Sequence, residues 1–162
     1  MLSKKSFPLT IHTTALDIID RFQDFGPKQL VDTMRDYAKG HISEQIQNDA
    51  EATHTSKLSK SDGLIDPWSQ SLHEINNIYR GCFLRPKAHF ILPDGRGEHT
   101  GKTITIDQMT LDNTLRDQHK NEPLLATRNL QLATNSAITV LTLKPENSKA
   151  ISREDFLNGY QN

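Results

Sequence analysis

The sequence predicts an α+β fold, with an N-terminal bundle of short helices ahead of a small mixed domain. Three observations predict it. Apolar residues recur at helical spacing through the first fifty or so positions. A polar stretch of small residues follows them. Beyond it the texture changes to Pro, Gly and short β-prone runs. The expected division is a helical region over 1–52, a linker over 53–63 and an α+β domain over 64–162.

The first helix is expected from Ala15 to Phe25, capped by Thr13 or Thr14. Leu16, Ile18, Ile19, Phe22 and Phe25 share one face. Gly26 is expected to stop it and Pro27 to open a second helix running to Lys39, because Gly favours helix ends and Pro a first turn. That second segment carries Leu30, Val31, Met34 and Tyr37, and Gly40 closes it. A weaker third segment, about His41 to Glu51, carries Ile42 and Ile46. Short amphipathic helices of this kind bury little alone and need a packing partner.

The linker, Thr53 to Gly63, is polar throughout except for Leu58. Downstream, three β-prone runs stand out: Ala88 to Leu92, Thr103 to Ile106, and Ala137 to Leu143. Asp94-Gly95 is a hairpin-turn signal after the first. Asp107 to Arg116 reads as a helix with Met109, Leu111 and Leu115 facing inward. Ser152 to Tyr160 reads as a closing helix, with Ser152 as cap and Asp155 three residues on.

Bulk properties remove several function classes. The 162 residues carry 19 basic and 20 acidic side chains, well mixed, which leaves no electrostatic footprint for nucleic acid or an anionic membrane. Aromatics make up 6%, too few for a base-stacking platform. Cys82 is the lone cysteine, so no internal disulfide or Cys-rich zinc site can form, and a reducing, cytoplasmic compartment is expected. No apolar run follows the basic start, and none approaches a membrane span.

Several motifs invite chemistry. Gly101-Lys102-Thr103 resembles the end of a phosphate-binding loop, but Arg96 occupies the position that needs glycine. Cys82 could serve as a nucleophile with His73, His89 or His99 as base, or as a small buried apolar residue. The seven histidines form no metal-ligand spacing, so no metal and no cofactor are expected. Asp17 and Asp20, like Glu154 and Asp155, read as solvated helix faces. Trp68 is open to two readings, a core anchor or an exposed aromatic that fills a partner's groove.

A family resemblance joins separate pieces in one order. Ile65-Asp66-Pro67-Trp68-Ser69-Gln70-Ser71-Leu72 resembles the first loop of a U-box, the zinc-free RING-like domain of ubiquitin ligases. Leu92-Pro93-Asp94-Gly95 resembles the turn before that family's central helix, and Ile106-Asp107 with Leu111 and Leu115 resembles the helix. Glu122-Pro123, Thr127-Arg128 and Leu130 look like the second loop, and Leu143 to Asn147 is similar to the opening of the last helix. The likeness covers about Ser61 to Tyr160. It makes Glu74 to Lys87 an insertion, with another between Gly95 and Ile106.

The resemblance implies a ubiquitin-ligase-type module that recruits a ubiquitin-conjugating enzyme without a covalent intermediate. Trp68, Leu72, Leu111, Leu115 and Pro123 would bind that enzyme. Arg128 would take the catalytic role, holding the enzyme-linked ubiquitin in a reactive pose. Partners would be the conjugating enzyme, ubiquitin and a protein substrate. In a bacterial chain the module would be an effector acting in a host cytoplasm. The alternative is a non-catalytic interaction protein, such as an inhibitor, an immunity partner or an adaptor.

Overall fold

A computed structural model describes residues 1–92, 101–111 and 138–160. It is an α+β chain dividing into two compact units, Met1–Lys57 and Leu58–Asn162.

The first unit is built on one long helix, α1, Ala15–Ala38. Thr14 caps it in a reciprocal box. The Thr14 N–H donates to Asp17 Oδ2 at 2.7 Å, and the Asp17 N–H donates to Thr14 Oγ1 at 3.3 Å. The break expected at Gly26-Pro27 does not occur, and Pro27 lies inside the helix. Proline there forfeits one backbone bond, a cost of about 3 kcal/mol in a helix interior. Aromatic packing brackets this turn: Phe25 meets Phe7 at 5.8 Å and Phe22 at 6.0 Å, both edge-on. The Phe22 ring lies over Gly26, where a Cβ would meet it at 3.4 Å, an ordinary contact distance.

The helix ends in a Schellman arrangement. The His41 N–H bonds to Asp36 O, the Gly40 N–H bonds to Tyr37 O, and Gly40 has φ +72°. The third helix expected over 41–51 is reduced to one 3₁₀ turn, Asp49–Glu51, capped by Asn48. Ile46 is fully exposed, so that segment has no apolar face to bury.

The second unit opens with a 3₁₀ turn, Lys60–Gly63, boxed by Ser59 and Asp62. Helix α2, Leu72–Gly81, follows, boxed by Ser71 and Glu74. It buries Leu72, Ile75, Asn76 and Tyr79, one face at i, i+3, i+4 and i+7. Four antiparallel strands come next in the order β1-β2-β3-β4: β1 His89–Ile91, β2 Thr103–Leu111, β3 Ile138–Pro145 and β4 Ile151–Ser152. Helix α3, Arg153–Tyr160, closes the unit. Ser152 Oγ accepts the Asp155 N–H at 3.1 Å, and Phe156 is buried in the core.

The register of β2 against β3 shifts around Gln108. This bulge changes which residues face inward: Ile104 and Ile106 are buried before it and Met109 after it. Phe90, Leu92, Val140, Leu143, Ile75 and Leu72 complete most of the core.

Two expectations are corrected here. The segment expected to form a helix from Asp107 to Arg116 is strand through Leu111, because the bulge lets an apolar pattern with helical spacing serve a sheet. The supposed insertion Glu74 to Lys87 contains most of α2, whose apolar face is core. Among the described residues no helix is long and apolar enough to cross a membrane.

Candidate functional site

The outward face of the sheet carries the candidate site. Strand residues alternate faces, so Thr103, Thr105 and Asp107 point away from the core that Ile104 and Ile106 fill. The register then builds a row across three strands: His89 lies opposite Thr105, and Thr105 lies opposite Lys144. Lys60, Pro86, Lys87, Pro145, Glu146 and Asn147 complete the lining of a groove of about 400 Å³.

Local chemistry places each wall. Gly63 holds the Lys60 turn against the chain before β1; a Cβ there would stand 2.6 Å from Lys87 O. No other residue type fits so close a backbone approach. The Leu64 bridge to His89 and the Ile65 N–H to His89 O bond, 2.8 Å, continue that attachment. On the far wall Asn147 takes φ +60° in the turn after β3, a conformation that asparagine tolerates. The Glu146 N–H bonds to Thr103 O at 2.9 Å and ties this turn to β2.

Three ammonium groups face two carboxylates in the groove. Lys87 pairs with Asp107. Their side chains are 44% and 31% exposed, so water screens the pair and it contributes roughly 0–1 kcal/mol. Lys60 and Lys144 are exposed. His89 is buried, and its Nδ1 lies 2.9 Å from Lys87 O. A carbonyl oxygen only accepts, so this bond assigns a proton to Nδ1, and in the neutral ring Nε2 is then the acceptor. The groove therefore offers ammonium groups, threonine hydroxyls and one imidazole acceptor. That set suits an anionic ligand that also carries hydrogen-bonding groups.

The residues singled out in the sequence lie elsewhere. Trp68 is half-buried, edge-on to Phe90 at 5.9 Å and packed on the core. Leu72 is core at 2% exposure. Leu111 ends β2. Leu115, Pro123 and Arg128 lie outside the described residues, as does the Asp94-Gly95 turn. Cys82 is buried beyond the last turn of α2, its thiol 3.5 Å from Asp62 O. Burial, and then the Asp62 carboxylate, push its pKa up, the opposite of an activated nucleophile. Among the described residues no group of three His, Cys, Asp or Glu side chains could hold a metal ion.

The groove residues were missed because they are scattered in sequence. Their one local signal is the alternation Thr103-Ile104-Thr105-Ile106-Asp107, polar on one face and apolar on the other.

A family model described as formyl transferase, C-terminal domain, matches residues 57–161. The match spans the second unit and overturns the U-box resemblance, whose expected central helix begins on strand β2. With it go the ubiquitin-ligase function, the conjugating enzyme and ubiquitin as partners, and the host-cell effector. The alternative of an inhibitor, immunity or adaptor protein falls on the same finding.

Proposed function

Because the chain belongs to the formyl transferase C-terminal domain family, we propose that it serves formyl transfer by holding a phosphate-bearing part of the molecule that accepts the formyl group. One observation carries the reading: the cross-strand row of His89, Thr105 and Lys144, flanked by Lys60 and Lys87. Ammonium groups bind phosphate as point charges, and hydroxyls and the imidazole acceptor fix the orientation of its neighbours. The charge is local, since the whole chain has a net charge of −1. The site thus favours one seated ligand over diffuse attraction of polyanions. A cytoplasmic location accompanies this reading and rests on the free thiol of Cys82.

The test is a titration of the isotopically labelled chain, followed by NMR. The probes are inorganic pyrophosphate, a nucleoside diphosphate and a short RNA hairpin. Amide shifts concentrated at Thr103, Thr105 and Lys144, abolished by Lys144→Glu, are the expected result. The probe that binds tightest identifies the source of the phosphate. Silence from all three up to roughly 10 mM, where a contact worth about 3 kcal/mol already registers, overturns the reading.

A further inference from the structure

His89 is only 7% exposed, yet it lines the groove. Its neighbour Phe90 belongs to the core, so strand alternation turns the His89 side chain to the groove side of the sheet. The Nδ1–H is held by Lys87 O at 2.9 Å, which fixes the ring. Nε2 bonds to no described residue, and it is not one of the sealed side-chain atoms left without a partner. It therefore opens on the groove, and in the neutral ring it can only accept.

An acceptor held rigidly among cations selects what sits on it. Lys60, Lys87 and Lys144 only donate, and they answer an anion. An ionised phosphate oxygen brings lone pairs alone, so it has nothing to give Nε2. A cationic amine could donate to Nε2, but the three ammonium groups repel it. A hydroxyl donates without adding charge. Thr105 stands directly opposite His89, and the Cβ atoms of such a pair lie about 4.5–5.5 Å apart. Its hydroxyl accepts or donates, so a second ligand hydroxyl beside the first finds a partner there.

We propose that His89 is a specificity-determining residue of the groove, whose Nε2 reads a sugar hydroxyl next to the ligand's phosphate. The lysines hold the charge, and His89 with Thr105 checks for the diol beside it. A ligand with the phosphate but without the hydroxyl leaves a largely buried acceptor unpaired, and that mismatch is the basis of discrimination. The inference rests on the phosphate reading of the groove and narrows it to phosphorylated sugars.

The experiment titrates the full chain, labelled with nitrogen-15 in its histidine rings, and follows it by NMR at about pH 8, where an ordinary histidine is neutral. The probes are inorganic pyrophosphate, a nucleoside diphosphate and its 2′,3′-dideoxy counterpart. Before any addition, the His89 Nε2 signal should be that of an unprotonated nitrogen. The ribose form should move it, and should bind roughly fivefold or more tightly than the dideoxy form. In His89→Phe the ratio of those two affinities should fall to one. If that variant does not fold, the Nε2 signal and the ratio in the parent chain still decide. Equal affinities in the parent chain overturn the proposal. So does an Nε2 that is protonated beforehand or unmoved by the ribose form, or a ratio that survives in folded His89→Phe. Pyrophosphate binding without discrimination overturns the role of His89 alone. No binding by any probe removes the phosphate reading with it.

Discussion

The hydroxyl oxygen of Tyr79 accepts the backbone N–H of Met109 at 3.2 Å, and both residues are buried. The bond pins α2 to β2 just after the bulge, where the ladder is interrupted. Tyr79→Phe keeps the ring and its edge-on contact with Phe83 but strips the Met109 amide of its acceptor. An orphaned buried donor costs about 1–3 kcal/mol. Urea denaturation should show a loss of that size with an unchanged slope. A loss below about 0.5 kcal/mol would mean that water or a shifted strand satisfies the amide.

The same hydroxyl gives the fold an alkaline limit. Burial raises the Tyr79 pKa above its usual 10.0, and the Met109 amide only partly opposes this. Below pH 10 both folded and unfolded chains keep the phenolic proton, so this group contributes no pH dependence. Above it the unfolded chain loses the proton first. The folded chain then binds more protons, and stability falls as pH rises toward the folded value. Denaturation followed from pH 9 to pH 11 should show the decline, and Tyr79→Phe should remove that component.

Gly63→Ala should damage both the fold and the groove. The new Cβ would stand 2.6 Å from Lys87 O, a backbone atom that cannot swing aside. Either the Lys60 turn or the chain before β1 must move, at a cost typical of overpacking, about 1–3 kcal/mol. Displacing the Lys87 carbonyl also removes the bond that sets the His89 tautomer. The expected readout is a lower melting temperature together with a changed His89 ring signal. Gly81→Ala, which meets nothing within 4 Å, is the matched control.

These relationships show which parts of the fold were legible in sequence. Strands β1 and β3, the first half of β2 and the closing helix announced themselves through their β-prone runs and the Ser152–Asp155 cap, whereas the two-residue β4 gave no signal. Helix α2 was equally readable, with Ser71 and Glu74 as its box and Leu72, Ile75 and Tyr79 at helical spacing. It was not read as a helix, because the resemblance assigned most of it to an insertion. The Asp107 to Leu111 segment misled for a physical reason. A bulge moves Met109 to the face of Ile106 and mimics the three-residue step of a helix. At Pro27 the packing of Phe7, Phe22 and Phe25 accompanies a helix that a local rule ends. Beyond the Thr103-to-Asp107 alternation the groove had no local signature, because strand register brings Lys144 beside residues some forty to sixty positions earlier.

The Lys87–Asp107 pair yields a prediction opposite to the usual loss on breaking an ion pair. Asp107 neutralises one of the three ammonium groups of the groove, and both partners are partly exposed. Asp107→Asn keeps the size of the side chain but removes its charge, leaving the Lys87 ammonium available to a ligand. Stability should change by less than about 1 kcal/mol, since the pair is screened. Pyrophosphate should bind about two- to tenfold more tightly at low ionic strength, and the gain should shrink as salt is raised past about 0.15 M. Calorimetry at two salt concentrations reads both effects. Weaker binding by Asp107→Asn would show that the carboxylate positions Lys87 for the ligand, rather than competing with it.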